Sequence, residues 1–169
     1  TDRDAVLGRH NNKFLVVGYM ISTLYAYCND IIVPVFCMLF PANLNDKTIF
    51  HETMAYYFKR KLPRPLVVLA DAGPYSLKNL RYLAKNGVVG MMNAPKNVKK
   101  HNIITLTNNI RLNRDFIPSQ WSDDDCRLIY NIRSEIERQF SHNSLVYHAR
   151  RMNVRGIDQA AKHRYMILN

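Results

Sequence analysis

The sequence predicts an α/β domain with a mixed sheet, and two pairs of apolar runs carry this prediction. The runs FLVVGYMISTLYAYC (14–28) and IIVPVFCMLF (31–40) are separated by an Asn-Asp turn pair, which favours a β-hairpin. The runs PLVVLAD (65–71) and VVGMM (88–92) enclose a helical stripe, which indicates a βαβ unit. Each of the first two runs is shorter than the roughly 20 residues of a membrane-spanning helix, so a buried hairpin is the better interpretation.

The elements around these runs follow from local signals. Residues 1–12 are polar and predict a loop. The Asn-Asp pair at 45–46 can cap a helix through IFHETMAYYFKR, and KLPRP (61–65) ends that helix because proline cannot continue it. Ser76 is the expected cap of the next helix, which Gly87 closes.

The last part of the chain predicts a basic excursion followed by helices. Residues 93–121 are interpreted as a basic segment with a small hairpin that leaves the sheet. Ser122, with Asp125 three residues later, predicts the start of a long helix. Its apolar stripe is Ile129, Ile132, Ile136 and Phe140. A final helix is expected from about residue 157.

The charge of the chain favours a polyanionic partner. Lys and Arg total 24 against 13 Asp and Glu, a formal net charge of +11 with a pI near 9.8. Nucleic acid is the simplest such partner, while a basic surface without a partner stays open. The three cysteines and six histidines show no C-x-x-C or H-x-x-x-H spacing. They indicate neither a disulfide framework nor a zinc site, and they suit a reducing cytoplasm.

Asp71 is the first candidate site residue. It follows the run VVLA directly and precedes a turn at Gly73 and Pro74. Ligands of open α/β sheets bind at the carboxyl ends of parallel strands, where a carboxylate is a fixed oxygen ligand. A capping role for Asp71 in the following turn is an equally good interpretation of the residues alone.

Glu137 on the predicted long helix is the second candidate. Tyr130, Arg133 and Glu137 are spaced to share one helix face, and Glu137 lies at the edge of the apolar stripe. From there its carboxylate can point across the sheet toward Asp71. A surface ion pair between Arg133 and Glu137 is the alternative, and it is the better one for these residues taken alone.

Two acids that converge on a basic domain fit a magnesium-dependent phosphodiester enzyme. Magnesium prefers hard oxygen ligands, keeps several waters and also binds substrate phosphate. Two such ions can hold the attacking and leaving oxygens of an in-line displacement. On this hypothesis Asp71 and Glu137 bind the metal together.

Four blocks of the chain also form a family pattern. They are FLVVGYM with IIVPVFCMLFPANLND, VVLADAGPYSLKNLRYLAKNGV around Asp71, YNIRSEIERQF around Glu137, and RRMNVRGIDQAAKH near the end. In this order they resemble the DDE transposases of bacterial and archaeal insertion sequences, over nearly all of the chain. The resemblance implies a ribonuclease-H-like mixed sheet flanked by helices, within a single catalytic-type domain over residues 1–169.

Carried over residue by residue, the resemblance makes Asp71 and Glu137 the catalytic, metal-binding acids, and it assigns DNA contacts to Tyr130 and Arg133. It implies magnesium or manganese as the cofactor, DNA (element ends and target) as the partner, and a homodimer on DNA as the assembly to consider. Basic residues outside the motifs are further candidate phosphate contacts, each with simple solubility as its alternative. They are Lys99, Lys100, Arg150, Arg151 and Arg155, together with Arg111 and Arg114.

The chain departs from the family pattern at three places. Ser144 stands where the family has Lys, and Pro74 interrupts the usual step from Gly to Tyr. The first catalytic Asp is expected upstream of this chain, since TDRDA resembles a T-D-P-D-A motif that some members carry after it. Asp2 and Asp4 are the substitutes within the chain. We therefore expect a fragment that lacks its first strand and first acid, or a decayed element.

These observations predict the catalytic domain of a DDE transposase, which cleaves DNA with water and joins the 3′-hydroxyl to a target. A nuclease of the same fold that hydrolyses without joining is one alternative. A non-catalytic or decayed DNA-binding module is the other, and the missing first acid and Ser144 favour it.

Overall fold

The computed structural model describes residues 6–10, 14–98, 102–107, 109–146, 158–159 and 162. Two compact units make up the chain, one of residues 1–45 with 135–169 and one of residues 46–134. The described residues form seven strands, four α-helices and one 3-10 helix, which confirms the α/β class. None of these described helices has the length and apolar character to cross a bilayer. The single domain over residues 1–169 stays a prediction.

The first unit contains a three-stranded antiparallel sheet. Its strands are β1 (Val6–His10), β2 (Phe14–Cys28) and β3 (Ile31–Pro41), in that order across the sheet. The β2–β3 turn has positive φ at Asn29 (50°) and Asp30 (61°). A two-residue hairpin turn of this kind requires positive φ at both positions, which Asn and Asp tolerate. The predicted hairpin is confirmed.

Strand β1 lies within the segment for which the sequence predicted a loop, so that prediction was wrong for residues 6–10. Val6 pairs with Gly18 and His10 with Phe14 along one edge of β2. The short sequence VLGRH has a weak strand pattern of its own. Its strand state depends on pairing with β2, which local polarity does not reveal.

The second unit begins with α1 (Asp46–Lys59) and continues with a βαβ unit. This comprises β4 (Val67–Ala70), α2 (Leu77–Lys85) and β5 (Val89–Met92), with β4 and β5 parallel. The predicted α1 and βαβ unit are confirmed. Strand β4 is half-buried and not buried on both faces, because its sheet has only two strands among the described residues.

A hairpin of β6 (Ile103–Thr107) and β7 (Ile110–Asn113) lies in the segment predicted as a basic excursion. The hairpin is confirmed. The described strands pair into sheets of three, two and two strands, and the joining of these strands into one mixed sheet stays a prediction. Hairpins and a βαβ unit are specified by neighbouring residues, whereas the joining of sheets depends on contacts remote in sequence.

Helices α3 (Asp123–Asn131) and α4 (Arg133–Val146) replace the single long helix that was predicted. The break falls at Ile132, where there is neither proline nor glycine. Ser134 Oγ donates to the Asn131 carbonyl at 2.6 Å, a local bond of the kind that competes with the helical ladder. The helix expected from about residue 157 lies almost entirely outside the described residues.

The core of the second unit joins β5, β7 and α3. Its buried residues are Met91, Leu112, Ile117, Cys126 and Tyr130. Burial raises the pKa of the Cys126 thiol, and this effect exceeds the opposing attraction of the Arg114 guanidinium. Because Tyr130 belongs to this core, α3 is fixed against the strands that lead to Asp71.

Candidate active site

Asp71 follows Ala70, the last residue of β4, and its side chain is 64% exposed. It therefore lies at the carboxyl end of a parallel strand, where the sequence placed it. The chain then turns, with the Tyr75 amide donating to the Ala72 carbonyl at 3.2 Å. The N-cap of α2 is Ser76, so the helix cap does not explain the acid at position 71.

Asn79 is a buried polar residue in the first turn of α2. Its side-chain amide donates to the Pro74 carbonyl at 2.9 Å and to the Lys47 carbonyl at 3.0 Å. With the residue only 1% exposed, both amide hydrogens are used on main-chain oxygens. Asn79 thus ties the turn after Asp71 to the first turn of α1.

Asp46, the first residue of α1, packs against the same turn. A Cβ atom at residue 73 would lie against the Asp46 carboxylate, so a larger residue there would require the Asp46 side chain to shift. The sequence indicated Asp46 only as part of a helix cap, although it closes the PANLND block of the family pattern. A second carboxylate therefore lies beside the turn that carries Asp71.

Tyr130 and Arg133 both contact the end of β4. The Tyr130 hydroxyl donates to the Ala70 carbonyl at 2.9 Å, from a side chain that is 1% exposed. The guanidinium carbon of Arg133 lies 5.4 Å from the centroid of the Tyr130 ring, within cation–π range. Arg133 Nη1 lies 3.9 Å from Asp71 Oδ2. The structure thus brings together three of the predicted site residues, Asp71, Tyr130 and Arg133.

For the remaining predicted site residues, a place at this cluster stays a prediction. Glu137 is exposed on α4 in the first unit, whereas Asp71 belongs to the second, and the convergence of their carboxylates stays a prediction. The other predicted residues lie outside the described part of the chain: Lys99, Lys100, Arg150, Arg151, Arg155, Asp2 and Asp4.

Arg111 and Arg114 were candidate phosphate contacts, and both direct their guanidinium groups at main-chain carbonyls. Arg111 donates to the Pro95 carbonyl at 2.7 Å and to the Val98 carbonyl at 2.9 Å. Arg114 donates to the Trp121 carbonyl at 2.5 Å. These contacts identify structural roles that charge alone does not reveal.

The residues around Asp71 fit a magnesium ion in chemical type. An exposed carboxylate is a hard oxygen ligand with access to water, and magnesium commonly takes one or two carboxylates, with waters and substrate phosphate completing its shell. Within the described ranges, no three His, Cys, Asp or Glu side chains are grouped closely enough to hold a metal ion. Asp71 supplies one carboxylate of the type that such a site would use.

The fold and the site define an α/β protein with a solvent-facing acid at the end of a parallel strand. The sequence model of the family described as "Transposase DDE domain" matches residues 6–168, and the chain belongs to this family. Searches among curated proteins and among solved structures found no significant match. Family membership indicates a function in transposition, implies DNA as the partner, and is generally associated with divalent metal ions.

Proposed function

We propose that this chain is the catalytic domain of a transposase that cleaves DNA at the ends of an insertion sequence and joins the freed strand to a target. The observation that carries the proposal is the exposed carboxylate of Asp71 at the end of β4, in a chain that the transposase family matches over residues 6–168. A ribonuclease-H-like arrangement of the strands, a cytoplasmic location and a homodimer on DNA belong to the same proposal.

Asp71 and Glu137 hold the divalent ions in this proposal, with magnesium or manganese as the metal. The bound ions supply Lewis-acid activation of water and neutralise charge on the phosphate. Water attacks the phosphorus atom and releases a 3′-hydroxyl, and that hydroxyl then displaces an oxygen at a target phosphodiester. Each step exchanges one P–O bond for another, so no covalent bond to the protein is needed.

Arg133 contributes the positive charge next to Asp71. Its guanidinium pairs with the carboxylate at 3.9 Å while the side chain remains 25% exposed. An arginine in this position can orient the Asp71 carboxylate and can also donate hydrogen bonds to a DNA phosphate. Lys99, Lys100, Arg150, Arg151 and Arg155 are proposed as additional phosphate contacts.

The test is Asp71→Asn in the full-length protein, assayed on its own element ends with Mg²⁺. We expect strand cleavage to fall by more than about 100-fold, because losing a metal ligand costs at least as much as losing an outer-shell partner. DNA binding should persist. The matched control is Asp124→Asn, which removes an exposed aspartate paired with Arg127 at 2.9 Å, and which should cleave normally.

Cleavage by Asp71→Asn at the normal rate would refute the site assignment. The same assay addresses the nuclease alternative, because a nuclease of this fold would release cleaved ends without any joined product. A transposase yields both products, and both should depend on Asp71.

A further inference from the structure

We propose that Tyr130 and Asn79 are positioning residues for Asp71, and that Tyr130 acts through the end of β4. The inference rests on the proposed function, since it concerns the acid that would hold the metal. It differs from the DNA contact that the family pattern implied for Tyr130.

The Tyr130 hydroxyl acts on the carbonyl immediately before Asp71. Ala70 O accepts the hydroxyl at 2.9 Å and the Asn93 amide at 3.3 Å. Both acceptor positions of this carbonyl are used, which fixes the peptide plane that leads into Asp71. The bond is shielded from water because Tyr130 is 1% exposed, and shielding strengthens a hydrogen bond.

Asn79 acts on the other side of Asp71. Its amide holds the Pro74 carbonyl, three residues after the acid, and the Lys47 carbonyl of α1. The segment from residue 70 to residue 74 is therefore anchored at both ends by buried side chains. The backbone of Asp71 is held while its carboxylate projects into solvent, the arrangement that metal coordination requires.

The principal test is Tyr130→Phe, which removes the hydroxyl and keeps the ring. Its matched control is Tyr57→Phe, because Tyr57 also donates to a main-chain carbonyl (Pro63, 2.6 Å) from a side chain that is only 8% exposed. At saturating DNA, we expect Tyr130→Phe to cleave about 10- to 100-fold more slowly, the range typical of outer-shell partners. Its Kd for DNA should stay within about twofold, and Tyr57→Phe should cleave normally.

A second pair of variants tests the other anchor. Asn79→Ser shortens the side chain so that it cannot reach both carbonyls. Asn86→Ser is its control, since the Asn86 amide makes the same kind of bond to the Tyr82 carbonyl at 2.8 Å. Hydrogen exchange supplies a readout independent of activity. The amides of residues 71–73 and 75 should exchange faster in Tyr130→Phe and Asn79→Ser than in either control.

The outcomes separate this inference from the proposed function. If Asp71→Asn is inactive while Tyr130→Phe cleaves and exchanges normally, only the positioning role is overturned. A raised Kd for DNA with a normal cleavage rate in Tyr130→Phe would establish a DNA contact and also overturn it. If Asp71→Asn cleaves normally, the proposed function fails, and Tyr130 and Asn79 then have no role in catalysis through Asp71.

Discussion

At the residue scale, several basic side chains serve the protein's own main chain. Arg111 holds the segment from Pro95 to Val98, and Arg114 holds the approach to α3 through the Trp121 carbonyl. Hydrogen bonds from a charged donor are stronger than neutral ones. The count of 24 Lys and Arg side chains therefore overstates the number of cations available to DNA.

Arg114→Met should lower stability and leave DNA binding unchanged. We expect a loss of about 2 kcal/mol in the free energy of unfolding, because hydrogen bonds from charged groups contribute roughly 1.5–3 kcal/mol. Urea unfolding measures this loss. Arg127→Met is the control, since Arg127 pairs with Asp124 on an exposed helix face, where such pairs contribute at most about 1 kcal/mol. Weaker DNA binding at unchanged stability would contradict the structural role of Arg114.

At the element scale, α3 depends on the capping box at its start. Ser122 Oγ accepts from the Asp125 amide at 3.1 Å, and the Asp125 carboxylate accepts from the Ser122 amide at 2.9 Å. The Ser122 hydroxyl also donates to that carboxylate at 2.7 Å. The bond from this hydroxyl, and then the bond from the amide, lower the pKa of Asp125 below its ordinary value of 3.8. Because α3 carries Tyr130, this cap supports the helix that holds the end of β4.

The lowered pKa of Asp125 predicts a pH dependence of stability. A carboxylate whose pKa is lower in the folded state stabilises the fold above its unfolded pKa, and this contribution is lost as pH falls through the folded value. Tm should therefore fall in the wild type as pH decreases from about 5 to below 3.8, and part of that fall should disappear in Asp125→Asn. Ser122→Ala should also reduce this part of the fall in Tm, because it removes the hydroxyl that donates to the Asp125 carboxylate. An identical pH profile for all three proteins would contradict the assignment.

The elements that could be predicted from the sequence have local signals. The Asn-Asp turn, the Ser122 cap and the βαβ pattern are each determined by residues close together in the chain. The break at Ile132 has no such signal, because the apolar stripe of the helix continues through this residue. The pairing of β1 has none either, because its polar surroundings predict a loop. The strand state of β1 depends on its pairing with β2, and the break at Ile132 is accompanied by the local bond from Ser134 to the Asn131 carbonyl.

The candidate site divides in the same way. Asp71 was predicted from the end of an apolar run, and the structure places it at the end of a parallel strand. The contacts of Asp46 with Gly73 and of Asn79 with Lys47 join residues far apart in the chain, so spacing could not reveal them. The inward direction of Tyr130 was also hidden, since an aromatic residue in a motif serves the core or a ligand equally well.

At the scale of the whole molecule, a basic protein with an acidic site makes two opposing electrostatic contributions to its affinity for DNA. Its cations release counterions from the phosphates, which makes affinity fall steeply with salt. An exposed carboxylate such as Asp71 repels the same phosphates unless a metal ion lies between them. A DNA-binding module without catalysis needs only the first contribution, whereas a metal-dependent enzyme shows both.

Magnesium should therefore affect DNA binding through Asp71. At constant ionic strength, Mg²⁺ should tighten binding of element-end DNA by wild-type protein, because a bound ion would offset the repulsion between the Asp71 carboxylate and the phosphates. In Asp71→Asn the magnesium effect should shrink while the slope of log K against log salt stays the same, since the cations that set this slope are unchanged. Calorimetric titrations with Mg²⁺ and with an inert salt measure both quantities. Equal magnesium effects in the two proteins would assign the metal to another site and favour the DNA-binding module, because the acid at the end of β4 would then take no part in holding the DNA.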